Sequence, residues 1–135
     1  IFACGDCTNH PNKLLNKSLR LESVHNAMEQ SKTVAASLSN NPKEYNQIPW
    51  FWSDQYDHKL QIVGLSGEHD RVTMRGKMED SQFMLFYTHN SQLIAVDSVN
   101  NSKEFLICRK LVANKVRIEP EMIADPSFNL NDLIA

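Results

Sequence analysis

The chain has 135 residues, of which 41% are hydrophobic and 22% are charged, and its formal net charge is −2. This composition indicates a single soluble domain with an appended segment and argues against a disordered chain. The small negative charge gives no basic field for non-specific nucleic-acid binding, and no apolar run approaches the roughly 20 residues that span a bilayer. We therefore expect neither nucleic acid nor a membrane among its partners.

The first predicted element is the apolar stretch IFACGD, which begins without an initiator methionine. We interpret the chain as a piece of a longer protein. The stretch is predicted to form a β-strand that ends at Gly5 and Asp6. Short apolar strands that stop at a glycine are typical of nucleotide-binding α/β sheets, in which the ligand lies beyond the carboxyl ends of the strands.

The three cysteines are too few for a disulfide scaffold and odd in number, which favours a reducing, cytoplasmic setting. Cys4, Cys7 and His10 have the spacing CxxCxxH, so a zinc site with His25 as fourth ligand, or a redox dithiol, must be considered. A structural zinc site needs two paired ligand clusters, and the sequence offers no second one. We predict no metal site here, and for Cys108 a buried thiol on the apolar stripe of a helix.

A polar loop, CTNHPNKLLNKS, is followed by the helical pattern RLESVHNAMEQSKTVAASLS. Ser23 is the predicted N-cap of a helix of about four to five turns. Its apolar residues at helical spacing are Val24, Ala27, Met28, Val34 and Leu38. The run NNPKEYNQIP lacks an apolar period and predicts a linker between two units.

After the linker the pattern changes to short strands, namely KLQIVGL, RVTMRGK, QFMLFYTH and QLIAVDSV. A turn at Asn90 and Ser91 joins the last two, so we predict an antiparallel meander. The segment SKEFLICRKLVANK predicts a helix with Ser102 as its cap. A helix packed on an antiparallel sheet gives the second unit an α+β fold.

The stretch PWFWSDQYD places two tryptophans one residue apart. On an extended segment, Trp50 and Trp52 share one face and Phe51 lies on the other. Composition alone leaves open whether this face packs in a core or meets a ligand or partner. The chain contains neither a nucleophile elbow nor GxGxxG, and its histidines are scattered, so we expect no hydrolytic catalysis by this chain alone and assign no catalytic residue.

The order of GD, RLESVHNAMEQ, PWFWSDQYDHKLQIVGLS and AVDSVN resembles the C-terminal portion of a family of flavoproteins. These are the FAD-dependent NAD(P)H reductases of putidaredoxin, rubredoxin and dioxygenase ferredoxins, among the pyridine nucleotide-disulfide oxidoreductase-like proteins. The resemblance covers nearly the whole chain. It implies that residues 1–40 are the last strand and helix of an FAD-binding α/β domain, that 41–48 are a linker, and that 49–135 form the C-terminal interface domain, an antiparallel sheet with flanking helices.

The resemblance also implies site residues. Gly5 lets the backbone approach FAD, and Asp6 offers a carboxylate to a ribityl hydroxyl. The helix that begins near Ser23 and Val24 directs its N–H groups at the N1 and O2 edge of the flavin, where negative charge accumulates on reduction. Trp52 lies beside the isoalloxazine on the side where electrons leave and faces the iron–sulfur partner.

The implied reaction is hydride transfer from NAD(P)H to FAD, followed by electron transfer to a ferredoxin-type protein or rubredoxin. The same resemblance makes Trp50 a residue of the interface between domains. It also places the dinucleotide fingerprint for FAD and the NAD(P)H domain outside this chain, so we expect the chain alone to be inactive and to hold no FAD.

The competing hypothesis is a non-catalytic protein-interaction or dimerisation module. The apolar strand predicted at the start of the chain would lack its neighbours in an isolated chain. Residues 1–40 are therefore expected to contribute contacts between copies in a homo-oligomer. Bound flavin, seen in a visible spectrum of the whole protein, separates a reductase from an interaction module.

Overall fold

The computed structural model describes residues 1–134, which fall into two compact units, Ile1–Phe51 and a second that begins at Trp52. The first contains β1 (His10–Asn12), β2 (Lys17–Leu19) and α1 (Val24–Leu38). At the boundary begins β3 (Trp50–Gln55), followed by β4 (His58–Gly64), β5 (Arg71–Lys77), β6 (Gln82–His89), β7 (Gln92–Val99), α2 (Ser102–Ala113) and α3 (Pro120–Ala124). None of the helices within residues 1–134 combines the length and apolar character needed to cross a membrane.

The strand predicted at the start of the chain does not form. Residues 1–4 have no regular secondary structure, and a bend and turn begin at Gly5. A strand of this kind needs neighbours on both sides to satisfy its backbone groups. No strand within the part of the chain that the structure describes pairs with it, and the side chains of Ile1 and Phe2 are exposed.

The stretch predicted as a polar loop contains a short antiparallel hairpin, in which His10 pairs with Leu19 and Asn12 with Lys17. The segment 41–48 has no regular secondary structure, but it is bonded to the first unit. Asn12 Nδ2 donates to Gln47 O at 2.8 Å, and Asn46 Oδ1 accepts from Leu14 N at 3.2 Å. The domain boundaries of the sequence analysis remain a prediction.

The five-stranded sheet of the second unit has the order β3-β4-β7-β6-β5. Strands β5, β6 and β7 form the predicted meander, but β4 lies beside β7 and not beside β5. This is a Greek-key arrangement, so the prediction of a simple meander was wrong. Sequence patterns identify strands by local alternation, whereas the partner of β4 depends on packing far along the chain.

The hairpin of β6 and β7 follows the prediction closely. Asn90 and Ser91 have φ angles of 51° and 62°, the left-handed conformation that a two-residue turn requires. Along β6 the buried side chains alternate with half-buried ones, and α2 packs on β7 and β4. The fully buried large side chains of this unit include Phe86, Phe105, Met84, Leu93, Leu111, Ile118, Ile123 and Leu130.

Helix α2 has the predicted buried face, which includes Phe105, Cys108, Leu111 and Val112. Its N-cap differs from the prediction, because the cap residue is Asn101 and Ser102 is the first helical residue. The hydroxyl of Ser102 donates instead to Gln61 Oε1 on β4, at 2.7 Å. A long-range partner has therefore replaced the local capping bond that the sequence suggests.

A buried guanidinium ties the C-terminal segment to the sheet. Arg75 on β5 donates from Nε and Nη2 to the carboxylate of Glu104, with Nη2 to Oε1 at 2.7 Å. Its Nη1 and Nη2 also donate to four backbone carbonyl oxygens, those of Ile123, Asp125, Pro126 and Phe128. These carbonyls lie at the end of α3 and in the irregular chain after it, where intrahelical partners run out.

The three thiols differ in their environments. Cys4 and Cys7 are exposed, whereas Cys108 is buried, and burial followed by the negative charge of Glu104 raises the pKa of Cys108 to about 12. Because the thiolate is the reactive form, we expect two thiols of the native chain to react rapidly with a colorimetric disulfide reagent and Cys108 only after unfolding. A Cys108→Ala variant should show the same two rapid reactions. Rapid modification of three thiols in the native chain would contradict this burial.

Candidate functional site

A tight turn at Gly5 lies against the first turns of helix α1. Gly5 is buried and has a φ of +83°, and Thr8 N donates to Gly5 O at 3.0 Å. A Cβ added to Gly5 would lie 3.6 Å from the Cβ of Ala27. A glycine is needed here mainly for its left-handed conformation, which side-chain-bearing residues rarely adopt. The turn thus lies close to helix α1 within the first unit.

Asp6 follows Gly5 in the same turn and has an exposed side chain. Its backbone oxygen accepts a hydrogen bond from Arg20 Nη1 at 3.3 Å, and Arg20 also pairs with Glu22 at 2.5 Å. The backbone of Asp6 is therefore held while its carboxylate faces solvent. A carboxylate presented in this way can accept hydrogen bonds from hydroxyl groups of a ligand.

Helix α1 begins as the sequence predicts, with Ser23 as its N-cap. The hydroxyl of Ser23 accepts from Asn26 N at 3.1 Å, and its carbonyl accepts from Ala27 N at 3.0 Å. Val24 is the first residue of the helix, and its side chain is 57% exposed. The first turn of a helix carries backbone N–H groups without intrahelical partners and the positive end of the helix dipole, so it favours a ligand atom with negative charge.

The buried face of α1 is polar. Its two buried side chains are amides, Asn26 and Gln30, whereas Val24, Met28 and Leu38 are exposed. Asn26 Nδ2 donates to Leu21 O at 2.9 Å, and Asn26 Oδ1 accepts from the hydroxyl of Tyr45 at 2.9 Å. The helix predicted from apolar spacing is correct, but in this chain its apolar residues do not supply the buried contacts.

Gln30 connects the glycine turn with the hairpin. Its Oε1 accepts from Gly5 N at 2.7 Å and lies 2.8 Å from the Thr8 hydroxyl, whose single proton is shared with the carbonyl oxygen of Gly5, also at 2.8 Å. Its Nε2 lies 2.9 Å from His10 Nδ1. Since Oε1 receives the N–H of Gly5, Nε2 must be the donor to His10 Nδ1. The ring proton of neutral His10 is therefore on Nε2.

His10 is held as a neutral imidazole. Its ring packs edge-on against that of Tyr45, with centroids 4.8 Å apart, and burial lowers the pKa of His10 below its ordinary value. The Nε2 atom is buried and has no hydrogen-bond partner among residues 1–134. Burial, followed by the charge of Glu29, raises the pKa of Tyr45, so that phenol also stays neutral.

Sequence reasoning did not identify Gln30 as a site residue. The signal that could have found it is its position, three residues after Ala27 and four before Val34, which places an amide on the predicted apolar stripe. A polar side chain on such a stripe needs a buried partner. Here the partners are the backbone and side chains of the glycine turn.

The two tryptophans of PWFWSDQYD are both in β3. Trp52 belongs to the second unit and is 40% exposed, which leaves a substantial part of the indole available for contact. Trp50 belongs to the first unit, where its ring lies 5.5 Å from that of His25. The structure thus brings Gly5 and Asp6 to helix α1, the helix that begins after Ser23. Trp52 belongs to the other unit.

The cysteine and histidine spacing at the start of the chain does not form a metal site in the described residues. Among residues 1–134, no group of three or more His, Cys, Asp or Glu side chains is placed to hold a metal ion. Cys7 Sγ lies 3.6 Å from the carbonyl oxygen of Cys4, and His10 is engaged by Gln30.

Comparison with known protein families identifies the family of this chain. Residues 50–134 match the family described as reductase C-terminal, which covers more than half of the chain. The chain belongs to this family. The α+β fold of this matched region, a five-stranded sheet with flanking helices, is the fold that the resemblance implies.

The relatives extend the likeness over the first unit. Putidaredoxin reductase of Pseudomonas putida is 38% identical over 135 residues, which is 100% of this chain and 32% of the relative. The crystal structure of the ferredoxin reductase for the CYP199A2 system of Rhodopseudomonas palustris is 39% identical, with a TM-score of 0.91 over 98% of this chain and 33% of that one. The covalent complex of putidaredoxin reductase with putidaredoxin matches at 37% identity and a TM-score of 0.89, over 97% of this chain and 31% of that one.

The chain spans about a third of the length of the curated relatives it matches. The activity, cofactors and partners of a whole protein therefore do not follow directly from this chain.

Proposed function

We propose that the chain is the C-terminal part of a flavoprotein that passes electrons from NAD(P)H through FAD to a small iron–sulfur protein of the ferredoxin type, or to rubredoxin. The observation that carries the proposal is the buried Gly5 turn packed on the start of α1, where a Cβ added to Gly5 would lie 3.6 Å from the Cβ of Ala27. Two features that suit a dinucleotide, a close backbone approach and a helix N-terminus, thereby meet in one unit. By itself the chain is expected to be inactive.

The residues of the first unit fit FAD in their chemistry. The exposed carboxylate of Asp6 would accept a hydrogen bond from a ribityl hydroxyl. The backbone of Gly5 would allow the ligand to come close. The N-terminus of α1, at Ser23 and Val24, would stabilise the negative charge that the flavin gains on reduction. FAD supplies the chemistry of taking a hydride and releasing single electrons. The protein residues bind it, orient it and select its partner.

Trp52 is proposed as the aromatic residue on the path by which electrons leave the flavin. Its 40% exposure supports a role in contact with another group, because an aromatic side chain of the core would be buried. A titrating or nucleophilic side chain is not required in this role.

Trp52→Ala in the intact reductase should slow electron transfer to the iron–sulfur protein much more than it slows flavin reduction by NAD(P)H. The reason is that the indole would serve only the second half-reaction. Rapid mixing measures the two half-reactions separately, from the bleaching of the flavin and from its reoxidation by the acceptor.

Two variants serve as controls for this measurement. Trp52→Phe keeps an aromatic ring and should lose less, and Tyr56→Ala removes another exposed aromatic from the same hairpin and should have little effect. Equal losses in both half-reactions, or the same loss in Tyr56→Ala, would count against the role of Trp52. Whole protein that never holds flavin would favour the interaction module instead.

A further inference from the structure

We propose that Gln30 is a positioning residue for the FAD-binding turn, holding Gly5 and Thr8 in place and coupling their position to the neutral state of His10. This inference rests on the proposed function, since the turn is the element assigned to FAD. Gln30 itself would touch neither the cofactor nor the reacting atoms.

The first step is the acceptor side of the amide. Gln30 Oε1 receives the N–H of Gly5 at 2.7 Å and lies 2.8 Å from the hydroxyl of Thr8, whose proton it shares with the carbonyl oxygen of Gly5, so one oxygen atom contacts both ends of the turn. Gln30 is 5% exposed, and the N–H of Gly5 is a buried donor. Removal of this oxygen would leave that donor unpaired at the point where the backbone approaches FAD.

The second step is the donor side. Gln30 Nε2 donates to His10 Nδ1 at 2.9 Å, which requires that Nδ1 carry no proton. If His10 is protonated, two N–H groups face each other. A half-turn of the amide would repair that contact but would direct its NH₂ group at the N–H of Gly5. Protonation of His10 therefore breaks either the hydrogen bond of the Gln30 amide to His10 or its hydrogen bond to Gly5.

The sign of the pH dependence follows from the environment of His10. Burial lowers its pKa from 6.5, so the contribution of neutral His10 is fully present above pH 6.5 and is lost as the pH falls through the lowered value. The titratable group that faces the ring is Tyr45, which stays neutral because its pKa is raised. The negative charge of Glu29 contributes to the raised pKa of Tyr45, and Glu29 itself is paired with Lys32 at 2.5 Å.

The test compares FAD dissociation constants of the intact reductase as wild type, Gln30→Met and Gln30→Glu, between about pH 8 and about pH 5. Gln30→Met should raise the constant about tenfold at the upper pH. Gln30→Glu should lose less there, since its carboxylate still accepts from Gly5 and Thr8. Acidification should weaken FAD binding in the wild type, but should strengthen it in Gln30→Glu, where protonated His10 donates to the carboxylate.

The control variant is Gln82→Met, an equivalent change of an exposed glutamine in the second unit, which should leave FAD binding unchanged. Wild-type affinity in Gln30→Met, or identical pH profiles of the wild type and Gln30→Glu, would overturn the inference. If Gln30→Met does not fold, the profile of Gln30→Glu decides. A wild type without FAD at any pH would overturn the proposed function as well, whereas wild-type FAD binding that survives both substitutions overturns this inference alone.

Discussion

Arg75→Met is expected to lower the free energy of unfolding of the second unit by about 3–5 kcal/mol, the loss typical of removing one partner of a buried ion pair. The guanidinium is buried and donates hydrogen bonds to the carboxylate of Glu104 and to four backbone carbonyls of the C-terminal segment. Methionine has a similar length but no donor, so the carbonyls would lose their partners and Glu104 its counter-charge. Urea unfolding followed by fluorescence measures the change.

Arg71→Met is the matched control, because Arg71 lies on the same strand and is exposed. That substitution should alter the unfolding free energy by no more than about 0.5 kcal/mol. Arg75→Lys should fall between the two, since lysine keeps the charge but lacks the planar fork that reaches a carboxylate and several carbonyls at once. Similar midpoints for Arg75→Met and Arg71→Met would disprove the structural importance of this arginine.

Asp6→Ala is expected to weaken FAD binding of the intact reductase by roughly one to two orders of magnitude. The variant removes the acceptor of a ribityl hydroxyl and leaves that donor unpaired, which costs about 1–3 kcal/mol. The backbone of Asp6 should keep its place, because Arg20 bonds to its carbonyl oxygen and not to its carboxylate. Equilibrium dialysis or the absorbance of released FAD measures the affinity.

Asp6→Asn retains one acceptor oxygen and should lose less than Asp6→Ala. Asp80→Ala removes an exposed carboxylate from the turn after β5 and should leave FAD binding unchanged. Unchanged FAD affinity in Asp6→Ala would remove Asp6 from the site, while the assignment of Gly5 and α1 would still depend on their own tests.

Local signals predicted the elements that depend on local physics. The period-two alternation of QFMLFYTH and QLIAVDSV, with Asn90 and Ser91 between them, defined β6, β7 and their turn. The prediction of Ser23 as an N-cap is correct, since a serine before a helical pattern needs only a bond within the first turn of its own helix, which its hydroxyl makes. Cys108 followed from its place on an apolar stripe, which is the buried face of α2.

The remaining features depend on partners far away in the sequence. The stretch Ile1–Asp6 has the composition of a strand, but a strand forms only beside another strand. Ser102 is a good capping residue, but its hydroxyl donates a hydrogen bond to Gln61 on β4. Gln30 lies 25 residues from the glycine whose N–H it accepts, so its role could be found only after the turn and the helix were placed together.

The Greek-key order of the sheet has a consequence for the biosynthesis of the chain. Strand β4 emerges from the ribosome well before β7, yet Ile62 pairs with Asp97 and Leu60 with Val99. Until β7 is complete, β3 and β4 form at most an isolated hairpin, which is only marginally stable in water. The hydrogen-bonding edge of β4 and the exposed indole of Trp52 are therefore displayed together on a nascent chain. During this interval the open edge of β4 is accessible to an unwanted strand pairing or to a chaperone.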